Sequence, residues 1–591
     1  MTAHALAVRL FGPWVARVSR ETLKADLAAG LLGAVLVLPQ AIAFAALAGL
    51  PPQMGLATAM LPCIVAALFG SSWQVMSGPT NANSLALFAM LAPLAVVGSA
   101  GYIELALAMT VLVGLMQTLI GALRLGAVAN FISPSALLGF TSGAAVLIGV
   151  HALRDALGID AAPVANAAGA LQAMVQQAQL TRPSAVLVAA LTVGVALVVR
   201  RIDARWPAML LGLAAGTGAA VLINAHGLGL TPLRQVGAIP SPWPLPHLPL
   251  VDLRAVPELL GLAFALTIVA LAQSIAIVKA IAARSGQRID THREIVGQGL
   301  SNLVGGLSSS YISCGSMNRS LPNLQAGART PLAAVFSALG LALLVLVSAP
   351  LLALIPLAAV SGLLLLVATS LLDLPRWRHL QRLSRSESMI AFATLAATLL
   401  LRLDVAILFG SLLSLGAYLQ RTAHPAMRTM GFDSTAPERP FVVLDAHPQA
   451  LPECPQLKLL RMEGSVYFGA AQHVSDTLHA LREAPLAPRH LLVMTKSMNF
   501  LDPAGAQVWD EELHARRAAG GDLYFHRPRP QVLELWQRAG FLDALGRDHV
   551  FADKRSALAT IVPRLDGAIC AGCTVRLFAE CTQQPGAWRT A

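Results

Sequence analysis

Up to about Thr422 the chain is a succession of apolar runs of bilayer-spanning length, broken by short basic or Pro/Gly-bearing stretches. No other feature restricts the possible folds as much. In hydrocarbon every backbone N–H and C=O must be satisfied within the protein, so only helices and closed barrels span. The runs here are continuous, not alternating, and about 20 apolar residues suffice for a spanning helix, so helices are predicted. Composition agrees: 56% of the residues are hydrophobic and only 12% are charged, which excludes an ordinary soluble domain.

Candidate spans fall near 26–48, 54–70, 79–97, 103–122, 133–152, 183–200, 206–225, 257–283, 290–308, 316–326, 330–348, 350–372, 386–401 and 404–420. Two are too short to cross fully: 79–97, bounded by Pro79 and Pro93, and 316–326. With both counted there are fourteen segments, and both chain ends lie on one side. The basic loops say which side. Arg17, Arg20 and Lys24, "RRIDAR" at 200–205, "RSGQRIDTHRE" at 284–294 and "RWRHLQR" at 376–382 all fall on the side of the N-terminus. The other side receives mainly Arg154, Arg182, Arg234, Arg254 and Arg402. The positive-inside rule makes the termini cytoplasmic and predicts a multi-pass protein of the plasma (inner) membrane. The N-terminal stretch lacks a compact apolar run with a cleavage site, so no cleaved signal peptide is read. The net charge of +11 sits in clusters that flank spans, which argues against nucleic acid as a partner.

Beyond Thr422 the pattern changes. "LKLLRMEGSVYFGAAQHVSDTLHALREA" reads as two short strands and an amphipathic helix, and "HLLVMTKSMNFLD" as a strand. "PAGAQVWDEELHARRAAGG" reads as a helix, "DLYFHRP" as a strand and "PQVLELWQRAGFLDAL" as another helix. Such alternation predicts a cytoplasmic α/β domain. The expected organisation is a cytoplasmic N-terminal segment at 1–25, a transmembrane domain at 26–422, a linker at 423–439, the α/β domain at 440–565 and a Cys-containing tail at 566–591. The tail carries "CAGC" at 570–573 and Cys581. A structural zinc site needs four ligands. Cys454, Cys570, Cys573 and Cys581 could supply them only if the tail folds back on the start of the domain. The sequence favours free thiols, and it asks for no cofactor.

Three polar islands interrupt the apolar runs. "LPQAIAFAALAGLPP" places Pro39 and Gln40 in the first segment, "SGPTNANS" opens the third, and "SCGSMNRSLPNLQAGART" at 313–330 opens the tenth. If the membrane part is two halves of seven, the third and tenth segments hold matching positions. Paired short, Gly/Pro-interrupted segments point to a mid-membrane substrate site. Their helix N-termini present free N–H groups and positive dipole ends, so the expected ligand is an anion, with Arg319 reinforcing the field. Structural roles compete at each position. Arg319 could snorkel from a loop, Thr80, Asn81 and Asn83 could bond between helices, and Gln40 could serve backbone freed by Pro39. The arrangement in two matching halves favours the site.

These residues carry a family resemblance. "LPQAIAFAALAGLPPQMGL", "ALFGSSWQVMSGPT", "REIVGQGLSNLVGG" and "GSMNRSLPNLQAGARTPLA" follow one another in a chain that resembles the SulP/SLC26 anion transporters over nearly its whole length. "FLDPAGAQVWDEEL" and "LWQRAGFLD" are similar to a STAS domain. The resemblance implies a polytopic α-helical membrane protein of fourteen segments in two inverted seven-segment repeats, a core plus a gate, followed by a cytoplasmic α/β STAS domain. It implies secondary active transport by alternating access, with the anion held between half-helices three and ten. Gln40, Phe44, Thr80, Ser316, Asn318 and Arg319 would line the site, and a homodimer is usual. Sulfate is the default substrate, with bicarbonate, chloride, nitrate and dicarboxylates as alternatives. An anion channel and a non-transporting sensor are readings of another class. A nucleobase carrier is weakened by Arg319 and by the STAS domain. No Ser/His/Asp constellation, phosphate-binding loop or metal-ligand helix pattern supports an enzyme.

Two positions depart from the family pattern. In "ALTIVALAQSIAIVKAIA" Gln273 stands where many bacterial relatives carry Glu or Asp. A carboxylate there can bind a proton or Na⁺; glutamine has the shape of a protonated glutamate and cannot titrate. Facilitated uptake or exchange is therefore expected, with Glu104, Asp26 and Asp404 as the scarce alternative coupling acids. In the STAS loop, "LDPAGA" puts Pro503 and Ala504 after Asp502, where relatives often read Asp-Ser-Ser/Thr-Gly. Phosphorylation there is not expected, which leaves dimer contacts or a cytoplasmic partner to the domain. Pro503 suits the first position of the helix that follows.

Overall fold

The computed structural model describes residues 8–126, 133–159, 172–203, 206–226, 231–237, 246–250, 256–433, 441–447 and 451–586, apart from 9, 173 and 402. Two compact units divide the chain, one up to Leu415 and one from Gly416.

The helices of the first unit follow the predicted order. They are α1 (Arg20–Leu47), α2 (Pro52–Phe69), α3 (Asn81–Leu91), α4 (Ala100–Ala122), α5 (Pro134–Ala156), α6 (Pro183–Ile202) and α7 (Ala208–His226). The second half holds α8 (Val256–Ser285), α9 (Thr291–Gly306), α10 (Met317–Gln325), α11 (Leu332–Leu352), α12 (Leu357–Leu371), α13 (Arg385–Leu400) and α14 (Leu403–Ala423). A short amphipathic helix, Leu374–Leu383, joins α12 to α13. Ten helical stretches among the described residues are long and apolar enough to cross a membrane. By contrast α3 has 11 residues and α10 has 9. At 1.5 Å per residue they reach roughly half-way through a hydrocarbon core of about 30 Å.

Helix packing repeats with a shift of seven. α1 packs on α11 as α8 packs on α4, and α2 on α11 as α9 on α4. α10 meets α1 as α3 meets α8, and α5 meets α13 as α12 meets α6. The pairs α2–α9 and α5–α12 map onto themselves. One bundle therefore comprises α1–α4 with α8–α11. The other comprises α5–α7 with α12 and α13, and Gly410 of α14 lies against Thr394 of α13. The most extensive seam, α4 on α9, is made by small residues. A Cβ at Gly114 would stand 2.4 Å from the Leu303 amide, and one at Gly299 2.4 Å from Thr118 Oγ1. Across that seam Asn302 Nδ2 donates to Gln117 Oε1 at 2.8 Å, the kind of polar contact that joins helices without a hydrophobic driving force.

Before each half-helix the chain is extended. Ser77–Gly78 (β1) and Cys314–Gly315 (β2) pair antiparallel, Ser77 opposite Gly315 and Gly78 opposite Cys314. The pairing satisfies backbone that has left the helix, as burial in hydrocarbon demands.

The second unit is a six-stranded sheet in the order β4-β3-β5-β6-β7-β8. Its strands are β3 (Ala426–Phe432), β4 (Phe441–Val443), β5 (Leu457–Val466), β6 (His490–Leu501), β7 (Leu523–His526) and β8 (Val550–Phe551). β5 to β8 run parallel, and β3 and β4 add antiparallel at one edge. Helices α15 (Phe468–Glu483), α16 (Pro503–Ala518), α17 (Pro530–Arg538), α18 (Phe541–Leu545) and α19 (Lys554–Ile561) follow in order. Trp509 and Trp536 are buried in the core beneath α16 and α17.

Four expectations for this unit differ from what is found. Residues 426–432, expected within a linker at 423–439, form β3; "AMRTMGF" has little intrinsic strand propensity and pairs because β5 offers an edge. The two strands expected around Gly464 are one strand, β5, with irregular register at Arg461/Glu463 and Gly464/Val466. The single helix expected over 530–545 breaks into α17 and α18 at Gly540, whose φ of +74° no continuing helix allows. The stretch expected as a tail from 566 packs Leu577 and Phe578 into the core on the far face of the sheet.

Candidate functional site

β1 and β2 bring the starts of α3 and α10 together. Thr80 is the N-cap of α3 and Ser316 that of α10, and neither turns its hydroxyl onto its own helix. First-turn N–H groups of both helices are thus left to other acceptors. Three contacts lock α10 to the chain that leads into α3. Ser316 N donates to Met76 O at 3.1 Å, Met76 N to Ser320 Oγ at 2.9 Å, and Asn323 Nδ2 to Gln74 O at 2.9 Å.

Arg319 lies on the first turn of α10 and is 2% exposed. This position rules out a snorkelling side chain. Its Nη2 donates to Pro79 O at 3.0 Å, spanning from one half-helix to the approach of the other. Gly78 has φ +147°, and a Cβ there would stand 2.6 Å from Arg319 Nη1, so only glycine fits under the guanidinium. Nε and Nη1 have no hydrogen-bond partner. A buried cation that is neither paired nor fully bonded is costly, and an anion delivered to it removes that cost.

Beside this centre lies a cavity of about 370 Å³ between α1 and α10 on one side and α6, α7 and α12 on the other. Gln40, Phe44 and Asn318 line it, with Arg200 and Trp206 at the end that carries the basic loops. Gln40 is 7% exposed and its Oε1 is unpartnered. Of the six residues expected to line the site, the cavity brings together Gln40, Phe44 and Asn318. Thr80, Ser316 and Arg319 do not line it; they are buried at the β1–β2 crossing, with Thr80 Oγ1 unpartnered. Asn318 and Arg319, adjacent on α10, link the two groups.

Sequence reasoning missed three participants. Gly78 and the Pro79 carbonyl could have been noticed only by pairing the two short segments. Arg200 is visible in "RRIDAR", where its charge reads simply as topology.

Gln273 is half-buried on α8 with its Oε1 unpartnered. The next residue, Ser274, abuts the β1–β2 crossing, 3.5 Å from where a Cβ on Gly315 would sit. Two of the alternative acids are tied to the scaffold. Asp26 accepts from Arg329 N, Thr330 N and Thr330 Oγ1 at 2.7, 3.1 and 2.5 Å, fastening the turn before α11. Glu104 accepts from Leu250 N at 2.8 Å and meets His247 Nε2 at 2.7 Å. The Asp404 side chain lies outside the described residues. In the second unit, Asp502 is also engaged: it accepts from Gly505 N at 2.8 Å and from Phe468 N at 2.9 Å, capping α16.

Comparison with known proteins places these features. A model described as the sulfate permease family matches residues 23–394, and a STAS domain model matches 449–557. The chain is 30% identical over 538 residues to a "probable sulfate transporter" of Mycobacterium tuberculosis, covering 90% of this chain and 94% of that one. Murine Slc26a9, titled an anion transporter in the inward-facing state, superposes with a TM-score of 0.84 at 19% identity, covering 95% of each chain. The transmembrane domain of a cyanobacterial bicarbonate transporter, BicA, gives a TM-score of 0.59 at 26% identity, covering 66% of this chain and 98% of that domain.

Proposed function

The chain belongs to the sulfate permease family, and on that footing we propose that it carries a small anion, sulfate first, across the plasma (inner) membrane by alternating access, with cytoplasmic termini. The observation that carries this reading is Arg319. It is buried between the starts of two half-helices, with two guanidinium nitrogens unpartnered. An anion entering the larger cavity past Arg200 and Trp206 meets the amides of Gln40 and Asn318. It then settles where the α3 and α10 dipoles and Arg319 act together.

A second cavity of about 100 Å³ lies between α1, α3, α5 and α12, lined by Phe88, His151, Arg154 and Leu364. It uses the N-terminal part of α12, whereas the larger cavity uses Leu366, Val367 and Ser370 near its C-terminal end. Rocking the α1–α4/α8–α11 bundle against the other would expose one site to each cavity in turn. Gln273 supplies no titratable group, so the proposal is uptake or exchange without proton coupling. A homodimer belongs to the proposal on family grounds alone.

The test is sulfate uptake into proteoliposomes with and without an inward proton gradient, with bicarbonate as competitor. Saturable uptake that ignores the gradient supports the whole reading. Uptake driven by the gradient keeps the carrier and overturns the assignment to Gln273. Uptake of bicarbonate in place of sulfate keeps the site and corrects the substrate.

A further inference from the structure

Four of the chain's six cysteines meet at one place in the second unit. Cys454 lies on the chain entering β5, Cys570 within the short helix Gly567–Gly572, Cys573 at that helix's C-terminal cap, and Cys581 in the turn Ala579–Gln583. All four are free and only part-exposed. They line one small void of about 20 Å³. That is room for about one water-sized particle, hence one ion and no cluster.

Hydrogen bonds tie together the segments that carry these cysteines. Gln456 Nε2 donates to Cys570 Sγ at 3.2 Å and to Asp566 O at 3.1 Å, while its Oε1 accepts from Asp566 N at 2.9 Å. Arg576 lines the same void and wraps the tail around it, donating to Cys581 O at 2.9 Å and Cys570 O at 3.4 Å. Its Nε is buried with no partner. A disulfide is not favoured on the cytoplasmic side.

We propose that Cys454, Cys570, Cys573 and Cys581 form a four-thiolate site for one zinc-type divalent ion that fastens the C-terminal tail to the start of β5. Among the described residues no three such ligands stand ready at coordination geometry. Binding would draw the sulfurs inward to about 2.3 Å from the ion. Four S–H bonds break, four metal–sulfur bonds form and four protons leave to solvent, with no change of oxidation state. The complex carries two net negative charges, one of which the Arg576 guanidinium offsets as an outer-shell partner.

The test uses the full chain in detergent, purified without a polyhistidine tag. Elemental analysis should find one zinc per chain, falling below a tenth in both Cys454→Ser and Cys573→Ser. Cobalt(II) added to chelator-treated wild-type protein should give the thiolate charge-transfer and tetrahedral d–d bands of a four-sulfur site. Should either variant fail to fold, the wild-type cobalt spectrum decides alone. Less than a tenth of an equivalent of zinc with no cobalt bands would overturn the proposal, as would full zinc retention in Cys454→Ser.

Discussion

Among the described residues two arginines are fully buried, one in each unit, and their surroundings differ. Arg516, on α16, donates from Nε to Glu512 Oε1 at 2.6 Å and from Nη1 to Pro488 O at 3.0 Å and Arg489 O at 3.1 Å. Arg482 reaches the other Glu512 oxygen, so Arg516 has its counter-ion within the fold. Arg319 has one carbonyl, that of Pro79, and two unpartnered nitrogens. Burial alone therefore does not mark function. A satisfied buried cation belongs to the scaffold, and an unsatisfied one needs a partner from outside.

The contrast can be broken most directly by truncating each arginine. Arg319→Ala should reduce anion uptake by 100-fold or more and leave the melting temperature without anion unchanged or raised. Arg516→Ala should do the reverse, destabilising its domain by about 3 kcal/mol, because the buried Glu512 is left to Arg482 alone and the Pro488 and Arg489 carbonyls lose their donor. Proteoliposome flux beside thermal unfolding of the same preparations checks both. Gly78→Ala sharpens the point. Its Cβ would displace the Arg319 guanidinium without touching its charge, so uptake should fall about tenfold or more, with α10 strained.

Gln40→Ala removes one neutral hydrogen-bonding group from the cavity wall. About 1.5 kcal/mol, hence roughly a tenfold rise in the half-saturating anion concentration with little change in maximal rate, is expected from concentration series. Gln273→Glu should leave the maximal rate at low pH near wild type and add a dependence on pH that the parent lacks; flat profiles for both proteins would remove Gln273 from the account.

The smallest effect belongs to the paired charges. Burial alone would lower the His549 pKa, but hydrogen bonds to Asp522 and Asp548 outweigh it and raise it. A raised pKa stabilises fully below the unfolded value of about 6.5 and loses that contribution as pH climbs through the folded value. Hydrogen exchange at β8, corrected for intrinsic rates, should therefore speed up between pH 6 and pH 8. Unchanged protection would mean the histidine is held by packing on Tyr524, whose ring stacks on it at 4.8 Å.

The membrane architecture was largely legible because apolar length and basic flanks act locally along the chain. Both half-helices were visible in the same way, through Pro79 and Pro93 and through the polar run at 313–330. β3 was not, because "AMRTMGF" is a strand only beside β5, and the return of the tail to Cys454 is likewise invisible along a line. At the site, the residue types at Gln40, Thr80 and Arg319 could be read in advance. Their division into a cavity wall and a buried crossing could not, since it depends on β1 meeting β2 across more than two hundred residues.

The central claim is that the unpaired Arg319 guanidinium binds the transported anion, and ligand-induced stabilisation tests it most directly. Saturating sulfate, at about 100 times its dissociation constant, should stabilise the detergent-solubilised wild type by about 2.7 kcal/mol. It should leave Arg319→Ala unmoved while Arg516→Met still responds. Equal stabilisation of wild type and Arg319→Ala by sulfate would contradict the account.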